Sequence, residues 1–196
     1  MAKERREKTG KGCLIYSIGS NGNFMFEEGM VNLLGKGVCE VHVFDFTDYS
    51  RSVPKSIRNM VHFHAWGLKS SSASSEAVLG ETATKFIQKV IAQPSKISYS
   101  LQETVELLGH QGRIIDIFKI DCEGCEWETY NDWLTADVDI RQILVEVHHV
   151  RSEAIDFFLS LQNAGFVTFH KEPNIEWAGG RCVEYCFLKL GNDFFL

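Results

Sequence analysis

In the stretch IDIFKIDCEGCEWE, residues 115–128, an apolar run ends at Asp121 and three further carboxylates, Glu123, Glu126 and Glu128, follow within seven positions. Negative charge gathered at the end of an apolar run either caps a solvated helix start or faces a cleft. In a cleft it can steady a positively charged ligand or accept a proton. A second run, ILVEVHH at 143–149, supplies further proton acceptors in Glu146 and His148. Strand alternation puts these two on one face and Val145, Val147 and His149 on the other, so Glu146 and His148 can act together. His148, Glu146 and Glu123 are therefore the candidate bases, and a structural hydrogen-bonding role competes for each of them.

A third element is the glycine turn SIGSNGN, residues 17–23. Its glycines let the backbone turn sharply and leave room for a ligand to approach. The pattern is not G-x-G-x-x-G, and the helix start that would receive a pyrophosphate carries Glu27 and Glu28, whose charge repels one. A nucleoside without phosphates fits better. Asp45, 26 residues after Gly19, ends the next apolar run, where an acid can accept hydrogen bonds from both hydroxyls of a ribose.

Metal chemistry is weaker. Asp121, Glu123 and His148 can gather a hard divalent cation, but such ions prefer oxygen ligands and the histidine is a poor choice. The C-x-x-C of Cys122 and Cys125 lacks the second pair, or the paired histidines, of a zinc site. No metal is expected. Cys182 and Cys186 lie on one strand face and read as buried structural thiols. Glu126 and Glu128 read as first-turn acids of a helix, and Trp127 and Trp133 as core.

These residues need a scaffold that brings distant segments to one edge. Cys13–Ile18 is apolar and strand-like, FMFEEGMVNLL at 24–34 has helical spacing, and 38–46 is again strand-like. A third strand is expected over 60–68, followed by a flexible Ser-rich connection, 69–81, and a helix over 82–92 that Pro94 stops. Ser100 and Glu103 have capping-box spacing, predicting a helix to Gly109. Strands over 113–121 and 141–149, a helix over 152–165 and a final pair of strands, 166–170 and 181–190, complete the chain. Alternation of strands and helices until that last pair predicts an α/β three-layer sandwich with a mainly parallel sheet and one antiparallel strand. Ligands of such sheets sit beyond the carboxyl ends of the strands. Those ends carry the glycine turn, Asp45, Ala65 and Trp66, Asp121 to Glu126, and Glu146 to His149.

The 196 residues, 44% hydrophobic, suffice for one buried core. The expected organisation is a basic, flexible tail at 1–12 and one domain over 13–196. A net charge of −6, with the dense basic run confined to the first eleven residues, disfavours nucleic acid as partner. No run approaches a membrane span and the polar start is no signal peptide, so a cytoplasmic location is expected.

YSIGSNGN, VHVFD and FKIDCEGCEWE, in this order and at these gaps, resemble the S-adenosylmethionine-dependent methyltransferases of the FkbM type. The similarity is greatest to the methyltransferase-like protein 24 group and extends from about Cys13 to the end. I-D-x-E-G-x-E is its most specific part; HAWGL and ILVEVHH are further echoes. The resemblance implies a class I methyltransferase, Rossmann-like fold of about seven strands, the seventh antiparallel and inserted between the fifth and sixth. It implies S-adenosyl-L-methionine as cofactor. Gly19, Ser20, Asn21 and Gly22 would cradle its methionine and ribose, with Ser17 at the start of the turn. Asp45 would hold the ribose, Ala65 and Trp66 would border the adenine, and Asp121 would lie near the sulfonium. Ser17 replaces the acid that many such enzymes carry there, and Asn23 replaces the last glycine.

The expected reaction is O-methylation of a small, glycan or lipid-linked hydroxylated acceptor, with Trp177, Gly179 and Gly180 as a candidate substrate rim. The competing readings are a non-catalytic interaction module that kept the fold, and a nicotinamide-dependent oxidoreductase.

Overall fold

A computed structural model describes residues 12–72, 97–149, 151–176 and 179–191. The first strand, β1 (Cys13–Ile18), is buried at all six positions, as a strand covered on both faces must be. After the glycine turn come α1 (Met25–Leu34), β2 (Cys39–Phe44), β3 (Val61–His64) and the short β4 (Gly67–Leu68). Then follow β5 (Ser98–Tyr99), α2 (Leu101–Leu107), β6 (Arg113–Ile115), β7 (Ile117–Ile120) and α3 (Glu126–Thr135). β8 (Val138–Ile140), β9 (Gln142–His148), α4 (Ala154–Asn163), β10 (Phe166–Asn174) and β11 (Cys182–Lys189) complete the order. The basic tail and the helix expected over 82–92 lie outside the described residues.

Seven strands form the main sheet in the order β3-β2-β1-β7-β9-β11-β10. The first five are mutually parallel, and β11 runs antiparallel between β9 and β10. Counting only these strands, the order is the one expected, with the last strand inserted between the fifth and sixth. Alternation along β1 divides the core. Leu14, Tyr16 and Ile18 pack with Phe118, Trp133 and Phe157 on the side of α2, α3 and α4. Ile15 packs with Phe24, Val31, Val43 and Ile57 on the side of α1. The capping box forms as the sequence predicts: Glu103 N–H donates to Ser100 Oγ at 3.2 Å and Ser100 N–H to Glu103 Oε2 at 2.7 Å.

Two expected strands are broken. The run over 60–68 leaves the main sheet after His64, and β4 pairs with β5 instead, with Gly67 leaving room for the Phe46 ring. The run over 113–121 divides at Asp116: β6 pairs with β8, and β7 with β1. Asp116 clasps Leu14 at this step, its N–H donating to Leu14 O at 2.8 Å and its carboxylate accepting Leu14 N–H at 3.0 Å.

Cys13 is disulfide-bonded to Cys39 across the start of β1 and β2. Cys122 and Cys125 are bonded to each other, so the C-x-x-C closes on itself and offers no thiolate pair to zinc. Cys182 is buried and Cys186 half-buried, both as free thiols. Among the described residues no helix is long and apolar enough to cross a membrane.

Candidate active site

The carboxyl ends of β1, β2 and β7 meet around a cavity of about 360 Å³. Gly19, Asn21, Asp45, Asp121 and Glu123 are all in its wall. The meeting depends on Gly19, whose φ is +76° and where a Cβ would lie 1.6 Å from the Asp121 carbonyl oxygen. Only a residue without a side chain lets these two strand ends touch. Gly19 N–H donates to Phe44 O at 2.9 Å and Asp121 N–H to Ile18 O at 3.0 Å, stitching the three ends together.

Asp45 fastens the turn. Its Oδ2 accepts the backbone N–H of Ser20 at 3.0 Å and of Asn21 at 2.9 Å, and its Oδ1 accepts Thr47 N–H at 2.9 Å. Ser20 Oγ also donates to Oδ2 at 3.3 Å, so of the carboxylate's roughly four acceptor sites the spare capacity is on Oδ1, which accepts a single bond. Ser17 and Ser20 are buried beneath the turn rather than lining the cavity. Gly22 sits against the Tyr49 ring, and Tyr49 Oη donates to Asn21 Oδ1 at 3.2 Å. Beyond β2 and β3 the wall is made by Phe46, Gly67 and Leu68, and Ala65 and Trp66, expected to border an adenine, are not in it. The chain bends between β3 and β4, which points the next two residues into the cavity. Trp66 packs instead against His64, Tyr99 and Phe44 at centroid distances of 4.5, 5.5 and 5.9 Å.

Beyond Asp121 and Glu123 lies a buried polar cluster at the end of β9. His148 Nε2 is 3.5 Å from Glu123 Oε2, 3.7 Å from Asp121 Oδ1 and 3.9 Å from Glu146 Oε2. The alternation read from the sequence thus brings Glu146 and His148 to one face. Their positioning partner is Glu126, a first-turn acid of α3 as the sequence predicts, and fully buried in the structure. Its Oε1 accepts His148 N–H at 2.7 Å and lies 3.2 Å from His148 Nδ1, while Oε2 accepts Gly124 N–H at 3.0 Å. Trp127 Nε1 donates to His148 O at 2.8 Å. The signal for Glu126 was present: with Thr129, Tyr130 and Trp133 it recurs at helical spacing on the buried stripe of α3. Lys119 also escaped the sequence reading; its Nζ donates to Gly19 O at 2.7 Å and lies 3.9 Å from Asp121 Oδ2.

The hydrogen bond to Glu126, with the charges of Glu126, Glu146 and Asp121, raises the His148 pKa to about 9 against the opposing effect of burial. His148 is therefore protonated at neutral pH. Burial, reinforced by Asp121, raises that of Glu146. Burial also lifts Glu184, with Glu146 and Asp121 adding to it, to about 7.

Asn174 Nδ2 donates to Glu146 Oε1 at 2.8 Å. It also lines a more open hollow of about 540 Å³, shared with Glu172, Ile175, Glu176 and Glu184 on the β10–β11 hairpin. The chain Asn174, Glu146, His148, Asp121 thus leads from this acidic hollow to the cavity under the glycine turn. In the expected substrate rim, Trp177 lies outside the described residues.

The sequence pattern of the family described as methyltransferase domain matches residues 2–189. No curated protein matches the chain. Among solved structures, a candidate tRNA (m1A22) methyltransferase of Streptococcus pneumoniae is similar over 97% of this chain and 72% of its own, at 11% identity and a TM-score of 0.50. A candidate ribosomal RNA methyltransferase of Plasmodium falciparum is similar over 95% and 92%, at 12% identity and 0.49. The 1,6-didemethyltoxoflavin-N1-methyltransferase of Burkholderia thailandensis is similar over 97% and 76%, at 10% identity and 0.48. At 11% identity the first of these likenesses speaks for the fold alone.

Proposed function

The chain belongs to the methyltransferase-domain family, whose members take a methyl group from S-adenosylmethionine, and from that premise we propose that it methylates a hydroxyl oxygen of a small sugar-like or lipid-linked acceptor. The I-D-x-E-G-x-E element at the centre of the site supports placing it with the FkbM type. The cofactor supplies an electrophilic methyl on a cationic sulfur. In this reading Asp45 accepts from the ribose hydroxyls, and Phe46 lies along the flat adenine. Asp121 and Glu123 give the far end of the cavity the negative charge that a sulfonium and an ammonium favour.

The observation that carries the acceptor reading is the polar chain from Asn174 through Glu146 and His148 to Asp121. A hydroxyl entering from the hollow meets carboxylate and amide groups suited to polyols and reaches buried proton acceptors before it reaches the methyl. The same carboxylates, Glu172, Glu176 and Glu184, repel a phosphodiester backbone. Glu146 is the proton acceptor that Asn174 joins to the hollow. His148 joins it once a positive charge beside Asp121 has lowered the imidazole's pKa, because a nearby like charge disfavours the protonated ring.

Calorimetric titration tests the cofactor part: S-adenosylhomocysteine is expected to bind and NAD not to bind. Methyl-labelled cofactor, offered with polyols, glycans, lipid-linked sugars and RNA, tests the acceptor. Label in an alkali-stable ether of a hydroxylated compound is the expected result. Label in RNA or on an amine overturns the O-methylation reading while leaving the cofactor result standing.

A further inference from the structure

On the α2 side of the sheet, screened from the cofactor cavity by Phe44, lies a cluster of imidazoles that the methyl-transfer site does not use. His42 on β2 stacks on His62 and His64 of β3 at 4.8 and 5.1 Å and meets His110, from the loop after α2, edge-on at 4.9 Å. His42 and His110 are each 4% exposed. Both turn Nε2 toward a single oxygen, Glu40 Oε1, at 3.0 Å for His42 and 3.5 Å for His110.

We propose that Glu40, His42 and His110 bind a divalent transition-metal ion, zinc above all, in a site separate from the methyl-transfer centre. Ligand atoms about 2.0–2.1 Å from a tetrahedral zinc are about 3.3 Å from one another. The two measured separations bracket that value, and all three candidate ligand atoms lie within 4.8 Å of one another. Two imidazoles and one carboxylate are a donor set that zinc accepts, with a water in the fourth position.

The outer contacts of a metal site are also in place. His110 Nδ1 is 2.6 Å from Tyr16 Oη, and His42 Nδ1 is 2.9 Å from His64 Nε2. With Nδ1–H donating to these partners, each ring presents its Nε2 lone pair inward, the arrangement that orients metal-bound histidines. Binding needs a change of tautomer and no change of rotamer. Arg113 Nη2 holds the other side of the carboxylate, Glu40 Oε2, at 2.7 Å, which leaves Oε1 for the ion. The Glu40 side chain is 35% exposed and provides the way in.

Two other groupings, Asp121–Glu123–His148 and Glu146–His148–Cys182, share His148 and belong to the methyl-transfer cluster. The test must therefore separate them. The full chain, incubated with zinc and dialysed, is expected to retain one zinc per chain by elemental mass spectrometry. Glu40→Gln and His110→Asn are expected to lose it and His148→Ala to keep it. X-ray absorption of the wild-type zinc form needs no variant and is expected to show nitrogen and oxygen neighbours at about 2.0 Å. A sulfur neighbour at about 2.3 Å would move the ion to Cys182 and overturn the proposal. So would absence of retained zinc in the wild type, or its loss in His148→Ala alone.

Discussion

Glu126 and His148 stand 22 residues apart and are joined twice, since one carboxylate oxygen, Oε1, accepts the His148 backbone N–H at 2.7 Å and faces its Nδ1 at 3.2 Å. A single side chain on α3 therefore fixes both where β9 ends and what charge its last residue carries. Glu126→Gln keeps an acceptor for the backbone N–H and removes the charge. The His148 pKa is expected to fall from about 9 toward its ordinary value of 6.5, read by NMR titration. An unmoved pKa would mean that Glu126 serves packing alone.

The same pair makes stability depend on pH. The folded-state pKa of His148 lies above the unfolded one, so its contribution is complete below about pH 6.5 and is lost as pH rises through about 9. Thermal midpoints measured across that window should fall with pH. His148→Gln should flatten the slope arising from this group.

Asp45→Ala removes the acceptor that fastens the glycine turn and, in the proposed reading, the ribose contact. Hydrogen bonds to a charged group contribute about 1.5–3 kcal/mol, so S-adenosylhomocysteine affinity should drop roughly 10- to 100-fold. Titration calorimetry with circular dichroism as a control for folding checks this. Unchanged affinity in a folded variant would remove Asp45 from the cofactor site.

Gly19→Ala sets a methyl group against the Asp121 carbonyl in a left-handed backbone conformation. A loss of about 2–5 kcal/mol is expected, since the obstruction is backbone and cannot rotate away. Denaturant unfolding measures it. Alanine at Gly37, which has open space around it, should cost much less despite its own positive φ.

Much of this arrangement was legible in the residues. β1 announces itself because a run apolar at all but Ser17 of its six positions suits a strand covered on both sides, and β9 shows its two faces by the alternation of Val145, Glu146, Val147 and His148. Asp45 and Asp121 were legible as acids that end apolar runs. The breaks at Ala65 and Asp116 were not, because the pieces beyond them pair with strands far away in sequence, and Asp116 is held by the backbone of Leu14. The cavity wall therefore holds Gly67 and Leu68 where Ala65 and Trp66 were expected. Glu126 was legible as a first-turn acid of a helix, but its burial was not, because that follows from a partner on β9 far away in sequence.

The placement of β11 between β9 and β10 bears on how the protein is made. On the ribosome, β9 emerges with its outer edge bare, and the hairpin's returning strand, which covers that edge, is synthesised after β10. Until then Glu146 and His148 sit on an unpaired rim, a template for chance pairing with other chains. Assembly of this end of the sheet therefore waits for its last-made strand, and nascent chains halted before residue 182 should call on chaperones most strongly.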